Sequence, residues 1–148
     1  MKESLNNNDP ARQQIRSDLQ AKQALIVDDE KDICFLLSNI LKQANIQPVL
    51  ASSITEAERI LQSPNAFYYV FLDNYLPDGL GINQVKKWKE RFPSIHLIMI
   101  TAHDSFEERN KAKGDGAEYF ISKPFSKETV LNAIVPTSDH ESGNKIHT

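Results

Sequence analysis

Short apolar runs alternate with amphipathic segments along most of this chain, from about residue 22 to residue 135. The apolar runs lack polar alternation, which is typical of parallel strands that helices cover on both faces. A polar residue follows the last apolar residue of each run. The four clearest runs are residues 24–27, 68–72, 97–100 and 119–122, and a shorter one covers 48–51.

Helical periodicity fills the intervals between these runs. Residues 31–44 carry an apolar stripe at i, i+3, i+4, i+7 and i+8, which predicts an amphipathic helix. Two Ser-x-x-Glu patterns, at 53–56 and 105–108, predict capping boxes that begin two further helices. The second of these helices is expected to be short and to end near Gly114. The remaining helices are expected after a turn at 76–79, ending near Phe92, and from Ser126 onward.

This order of elements predicts a (βα)₅ fold, in which right-handed crossovers place helices on both faces of a parallel sheet. A chain of 148 residues is one domain by the usual prior and is long enough to bury a core. We expect a polar N-terminal extension at 1–21, in which Asp9-Pro10 could open a short helix. The folded domain is expected at 22–135, followed by a flexible polar tail at 136–148.

Composition narrows the classes of function. A net charge of −3 argues against nucleic acid as a direct ligand, because phosphate binding needs a basic face. No run approaches the ~18 apolar residues of a membrane span, and the N-terminus carries no apolar stretch of the secretory kind. The single cysteine, Cys34, lies among apolar neighbours, which favours a buried hydrophobic role over redox chemistry. The cytoplasm is therefore the expected compartment.

Polar side chains with related chemistry follow four of the predicted strands. They are Asp28 and Asp29 after the first, then Asp73, Thr101 and Lys123. Parallel strands end at one sheet edge, where open α/β sheets bind ligands, so these groups are expected to gather there. Mg²⁺ prefers oxygen ligands and is commonly held by one or two carboxylates beside phosphate. With a metal to neutralise charge, a carboxylate can accept a phosphoryl group, and a hydroxyl and an ammonium complete the phosphate shell.

Each of these features alone has an ordinary structural explanation. An acidic pair after a strand suits a helix N-terminus, and a threonine at a strand end can satisfy local backbone. Asp73 could be a turn residue, and Lys-Pro pairs are common. Their joint occurrence at four strand ends favours a site. Clustered carboxylates without a metal repel one another, so some of their pKa values should rise.

In these stretches the sequence resembles the receiver domains of response regulators in two-component phosphorelay signalling. The matching segments are residues 25–30, 72–79, 100–102 and 122–125, and the resemblance covers roughly 22–135. It implies a flavodoxin-like, doubly wound sheet of five parallel strands in the order 2-1-3-4-5. It also implies a cis peptide bond before Pro124.

The resemblance further implies roles in a phosphoryl-transfer site. Asp73 would accept the phosphoryl group, Thr101 would bind a phosphoryl oxygen afterwards, and Lys123 would pair with it. The implied Mg²⁺ ligands are Asp28, Asp29, Asp73 and the backbone carbonyl of Tyr75.

Three further positions give the implied site its individuality. In receivers, the positions of Tyr75 and His103 flank the path of water to the acyl phosphate. Phe120 matches the family's aromatic switch position, and core packing explains it equally well. The implied switch runs through Thr101 and Phe120.

A receiver would act as a signalling switch, not as an enzyme, and would catalyse only its own phosphorylation and slow dephosphorylation. The donor would be a histidine kinase or a histidine phosphotransfer protein, and no contact with nucleic acid or membrane is expected. The sequence names neither the kinase nor the downstream target, and the chain could be a stand-alone receiver or part of a larger protein. One alternative is a haloacid-dehalogenase-like phosphatase, although that family carries its nucleophile on the first strand as Asp-x-Asp. The other is a degenerate receiver that serves only as a docking module.

Overall fold

The computed structural model describes Pro10 and residues 22–134, in which strands and helices alternate. Apart from Pro10, the predicted helix at Asp9-Pro10 therefore lies outside the described residues. The predicted tail at 136–148 lies wholly outside them. A two-stranded hairpin, Tyr75–Leu76 with Gly79–Leu80, and a 3₁₀ turn, Gly81–Gln84, lie between Asp73 and Val85. The main elements are β1 (Lys22–Val27), α1 (Lys31–Gln43), β2 (Ile46–Ala51), α2 (Ile54–Leu61), β3 (Tyr69–Asp73), α3 (Val85–Arg91), β4 (His96–Thr101), α4 (Phe106–Asp115), β5 (Tyr119–Ser122) and α5 (Lys127–Ile134).

The five main strands form one parallel sheet in the order β2-β1-β3-β4-β5. This confirms the flavodoxin-like (βα)₅ fold and the strand order expected from the sequence. In the register of the sheet, Val27 of β1 pairs with Leu72 of β3, and Asp73 pairs with Ile100 of β4. The residues that follow these strands therefore meet at one edge, called here the carboxyl edge.

A hydrophobic layer covers each face of the sheet. Successive residues of β1 alternate between the layers: Leu25 and Val27 pack with α2, α3 and α4, whereas Ala24 and Ile26 pack with α1 and α5. Because both faces are covered, the central strands are buried without polar interruption. Trp88 and Cys34 are both buried in these layers, and the sequence predicts this for Cys34.

Two element boundaries differ from those that the sequence predicts. The strand β2 begins at Ile46, two residues before Pro48, because parallel pairing with β1 continues through this proline. Pro48 is tolerated because β2 is an edge strand. The helix α4 continues through Gly114 and ends at Asp115, because Gly116 adopts the left-handed conformation (φ 117°) that terminates helices.

Only half of each predicted capping box is present. The Ser53 and Ser105 hydroxyls accept the expected bonds from the N–H groups three residues later, both at 3.0 Å. The Glu56 carboxylate reaches back to the N–H and hydroxyl of Ser52, one residue before the position that a full box requires. The Glu108 carboxylate accepts a bond from the side chain of Asn74.

Candidate functional site

Three aspartates meet at the carboxyl edge of the sheet. Asp28 and Asp29 follow β1, and Asp73 is the last residue of β3. One carboxylate oxygen from each lies within 4.8 Å of the others, which is close enough to bind a common metal ion. Asp28 and Asp73 are buried, and Asp29 is exposed, so the cluster opens to solvent on one side.

The Lys123 ammonium lies against this cluster from the end of β5. Its Nζ is 2.9 Å from Asp28 Oδ2, 3.4 Å from Asp73 Oδ1 and 2.6 Å from Glu30 Oε1. Sequence reasoning missed Glu30 as a partner, because Glu30 lies in the loop beyond the end of β1, where the sheet does not fix the position of the side chain. The only feature of the sequence that could have indicated Glu30 is its position directly after the acidic pair Asp28-Asp29. The peptide bond between Lys123 and Pro124 is cis, as the resemblance implies.

Burial disfavours the charged form of the carboxylates in the acidic cluster. Burial, followed by the neighbouring Asp28 charge, raises the pKa of the Asp73 carboxyl to about 6. Burial also raises the pKa of Asp28, although the Glu30 N–H donates to its Oδ1 at 2.9 Å. Burial alone would lower the pKa of Lys123, but the surrounding carboxylates outweigh it and raise that pKa. A positive charge is therefore favoured here in addition to the lysine.

The donor set fits a hard divalent cation. Asp28 Oδ2 is buried, and the Lys123 ammonium lies 2.9 Å from it. Mg²⁺ and Ca²⁺ both take carboxylate oxygens, and Mg²⁺ typically uses one or two together with water and phosphate oxygens. The cluster combines such oxygens with a face open to solvent.

Thr101 completes the group of polar residues at this edge. It is the last residue of β4, it is fully buried, and its hydroxyl accepts a bond from the His103 N–H at 3.1 Å. Its carbonyl accepts from the Lys123 N–H at 2.8 Å. The structure thus brings together all five polar residues that the sequence places at strand ends.

Comparison with known proteins identifies the family. A model of the response regulator receiver domain matches residues 24–135. The chain belongs to the response regulator receiver family.

Relatives and solved structures agree with this assignment. The chain is 37% identical over 111 residues to a putative NtrX-like response regulator of Rickettsia bellii, covering 72% of the chain and 23% of that protein. It is 33% identical over 116 residues to the phosphate regulon transcriptional regulatory protein PhoB of Escherichia coli, covering 77% of the chain and 50% of that protein. The beryllofluoride-activated receiver domain of NtrC4, a dimer in solution, is 38% identical with a TM-score of 0.72, covering 76% of the chain and 92% of that domain. The match spans half or less of the length of these two curated relatives, so it concerns only their receiver part.

Two aromatic rings mark the solvent-exposed rim of the receiver site. The centroids of Tyr75 and His103 lie 5.1 Å apart with an interplanar angle of 59°. Tyr75 begins the hairpin after β3, and His103 lies in the loop after β4. The contact therefore joins the two loops that flank the acceptor aspartate expected in this family.

Phe120, one of the two aromatic residues of β5, is covered by a charged network. Phe120 is buried, and the guanidinium carbon of Arg109 lies 5.0 Å from its ring centroid. The Asp104 carboxylate accepts bonds from Arg109 Nε at 2.6 Å and Nη2 at 2.8 Å, and from Ser122 Oγ at 2.5 Å. This network, called here the Asp104 bridge, joins α4, the loop before it and β5. Sequence reasoning did not find it.

Proposed function

We propose that this receiver accepts a phosphoryl group on Asp73 from the phosphohistidine of a histidine kinase or a histidine phosphotransfer protein. Phosphorylation would then switch a surface that binds a downstream partner. The observation that carries the proposal is the position of the Asp73 carboxylate, which lies within 4.8 Å of carboxylate oxygens of the acidic pair after β1 and 3.4 Å from the Lys123 ammonium.

The chemistry is a displacement at phosphorus. An Asp73 carboxylate oxygen attacks the phosphorus, the bond between phosphorus and the histidine nitrogen breaks, and the imidazole leaves with the bonding electrons. The product is an acyl phosphate, and later attack by water would return the carboxylate and release inorganic phosphate. The Lys123 ammonium is already 3.4 Å from the Asp73 oxygen and would pair with the phosphoryl oxygens.

Mg²⁺ fits the donor set. Asp28, Asp29, Asp73 and the backbone carbonyl of Tyr75 would hold it, and it would neutralise charge on the transferring group. A bound cation would also lower the raised pKa of Asp73 and keep this nucleophile ionised at neutral pH.

The switch would begin at Thr101. Its hydroxyl now accepts a bond from the His103 N–H, so turning toward a phosphoryl oxygen would pull on the loop before α4. Phe120, which is buried beneath Arg109, could fill the vacated space. A local change of charge would thus bias an element with two arrangements.

The first test is phosphorylation of Asp73→Asn, which keeps the shape of the side chain and removes the nucleophile. With acetyl phosphate and Mg²⁺, intact-mass spectrometry should detect one phosphoryl group on wild type, none on Asp73→Asn, and none on wild type in excess chelator. Asp115→Asn, at the end of α4, is the matched control and should be modified like wild type. Modification of Asp73→Asn would refute the assignment, and equal labelling in chelator would refute the metal requirement.

We also propose that Tyr75 and His103 tune the lifetime of the acyl phosphate. The two rings contact each other at the rim of the site, where the tyrosine ring could block in-line attack by water. Tyr75→Asn should therefore shorten the half-life of the phosphorylated protein, measured as loss of the mass increment after removal of the donor. A half-life equal to or longer than that of wild type would contradict the shielding role.

Several broader features belong to the same proposal. The receiver would occupy residues 22–135 and act in the cytoplasm as a switch, not as an enzyme on other substrates. Among the described helices, none has the length and apolar character needed to cross a membrane. Membership of the receiver family disfavours the haloacid-dehalogenase alternative. The alternative of a docking module without phosphorylation predicts an unlabelled wild type in the test above.

A further inference from the structure

Asp78 makes a tie across the carboxyl edge that the proposed chemistry does not use. Its Oδ1 accepts a bond from the Ile54 N–H at 2.9 Å. Its Oδ2 accepts from the N–H of Thr55 at 2.9 Å and from the hydroxyl of Thr55 at 2.8 Å. Both oxygens of one carboxylate, in the turn of the hairpin after β3, are thus bonded to the first residues of α2.

The α2 end of this tie is fixed to one half of the acidic cluster. Ala51, the last residue of β2, accepts a backbone bond from the Asp28 N–H at 3.0 Å. Two residues later Ser53 caps α2, so the start of this helix is attached to the Asp28 loop through a very short segment. A shift of α2 at this end would therefore displace Asp28.

The Asp78 end is fixed to the other half. Asp78 lies in the two-residue turn that joins Tyr75–Leu76 to Gly79–Leu80. The hairpin starts two residues after Asp73, and the Gly81 N–H closes the loop by donating to the Asn74 carbonyl at 2.7 Å. This hairpin includes the backbone carbonyl of Tyr75, which we propose as a metal ligand.

We propose that Asp78 is a positioning residue that holds the two halves of the cation site at a fixed separation. This inference rests on the proposed Mg²⁺ site, in which Asp28 and Asp29 stand on one side and Asp73 and the Tyr75 carbonyl on the other. Groups that orient metal ligands without touching the metal typically change affinity when they are removed. Asp78 does so from outside the cluster, because its carboxylate is engaged with α2.

A role only in capping α2 would not account for the whole arrangement. The helix already has its own cap, since the Ser53 hydroxyl accepts from the Glu56 N–H, and Glu56 in turn bonds Ser52. The bonds to Asp78 add contacts that span 23 and 24 residues of sequence. Ser53 and Asp78 therefore offer a matched pair, because both bond the first turn of α2 and only Asp78 belongs to the metal loop.

The test measures Mg²⁺ affinity by calorimetry, in the absence of any phosphodonor. We expect Asp78→Ala to weaken Mg²⁺ binding about tenfold, and Ser53→Ala to leave it unchanged while lowering the melting temperature. Thr55→Val removes one bond to Asp78 without changing charge, and it should weaken binding in the same direction by a smaller factor. Because Thr55→Val separates positioning from the loss of a negative charge near the cation, it also covers the case in which Asp78→Ala fails to fold.

Each outcome is decisive. If Asp78→Ala and Thr55→Val bind Mg²⁺ with the same affinity as wild type, the positioning role is overturned and the proposed function stays intact. Equal weakening by Ser53→Ala and Asp78→Ala would reduce Asp78 to a helix cap. Weakening by Asp78→Ala alone, with Thr55→Val like wild type, would assign the effect to charge and overturn positioning. A wild type that binds no Mg²⁺ would overturn the proposed metal site and this inference with it.

Discussion

Helices α2 and α4 begin with the same Ser-x-x-Glu pattern and the same 3.0 Å serine cap, yet they differ in how firmly they are attached to the rest of the domain. What separates them is the apolar surface that each helix buries. Helix α2 buries Ile54, Ala57 and Leu61 in the core beneath the sheet, whereas α4 buries only Ala112. A helix with little buried apolar surface opens and shifts at low cost, and such segments are the ones that move in switches.

The polar attachments of the two helices sharpen the contrast. Helix α2 is joined to the loop after Asp73 by three bonds to Asp78, all between 2.8 and 2.9 Å. Helix α4 meets the same loop through one long bond of 3.5 Å, from Asn74 to Glu108. Its short bonds belong to the Asp104 bridge, which joins it to β5. A capping signature thus predicts where a helix starts, and its buried contacts determine how firmly it is attached. We expect the more weakly attached helix, α4, to be the one that responds to phosphorylation.

The largest expected difference between the helices is in the free energy of unfolding. Leu61→Ala removes a buried anchor of α2 and should cost about 2–5 kcal/mol. Phe106→Ala, at the start of α4, truncates a side chain that is 76% exposed and should change stability by less than about 0.5 kcal/mol. Urea denaturation of both variants measures the difference. Similar losses for the two substitutions would mean that α4 is anchored as firmly as α2.

A smaller effect should come from the Asp104 bridge, and it should depend on pH. The Arg109 guanidinium, followed by the Ser122 hydroxyl, holds the pKa of Asp104 at about 2. A carboxyl with a lowered pKa stabilises the fold above its ordinary value near 4, and this contribution is lost as the pH falls toward 2. Asp104→Asn should cost about 1 kcal/mol at pH 7, because the aspartate side chain is 36% exposed and water screens the pair.

The measurement for the bridge is urea denaturation of wild type and Asp104→Asn between pH 7 and pH 3. The difference between them should be constant near neutrality and shrink below pH 4. Amide hydrogen exchange at pH 7 should accelerate in α4 and stay unchanged in α2. A loss of stability independent of pH, or faster exchange in both helices, would contradict a local role for the bridge.

The difference between the helices also marks how far the sequence alone could lead. The fold and the strand order follow from apolar runs and turn signals, which are local patterns, together with the family resemblance. The gathering of Asp28, Asp73 and Lys123 follows as well, because strand ends are fixed by the sheet. In contrast, Glu30 and Asp104, which contact Lys123 and Ser122, lie in loops beyond the strand ends. Such contacts depend on side-chain rotamers and on how closely loops approach each other, and the sequence pattern predicts neither.

The capping boxes illustrate the same limit at short range. The serine half of each box was predicted correctly, because the hydroxyl needs only its own helix. The glutamate half failed, because a long carboxylate side chain can reach several nearby donors, and here the two glutamates accept bonds from Ser52 and Asn74 instead. The metal ligands and switch residues remain predictions, since their roles depend on chemistry that only experiment can test.

The last prediction has the smallest energetic effect and bears most directly on the contrast between the helices. Beryllofluoride mimics the phosphoryl group, and amide chemical shifts follow the response. Changes should spread from Asp73 through Thr101 into α4 and β5, while α2 should respond only at its first turn. A ligand moves such an equilibrium only by its differential affinity for the two states, so the response requires the Thr101 hydroxyl to contact the phosphoryl mimic. Thr101→Ala should therefore reduce the changes in α4, whereas Thr101→Ser, which keeps the hydroxyl, should retain them. Equal changes along α2 and α4, or an α4 response unaffected by Thr101→Ala, would mean that the fold transmits the signal by another route.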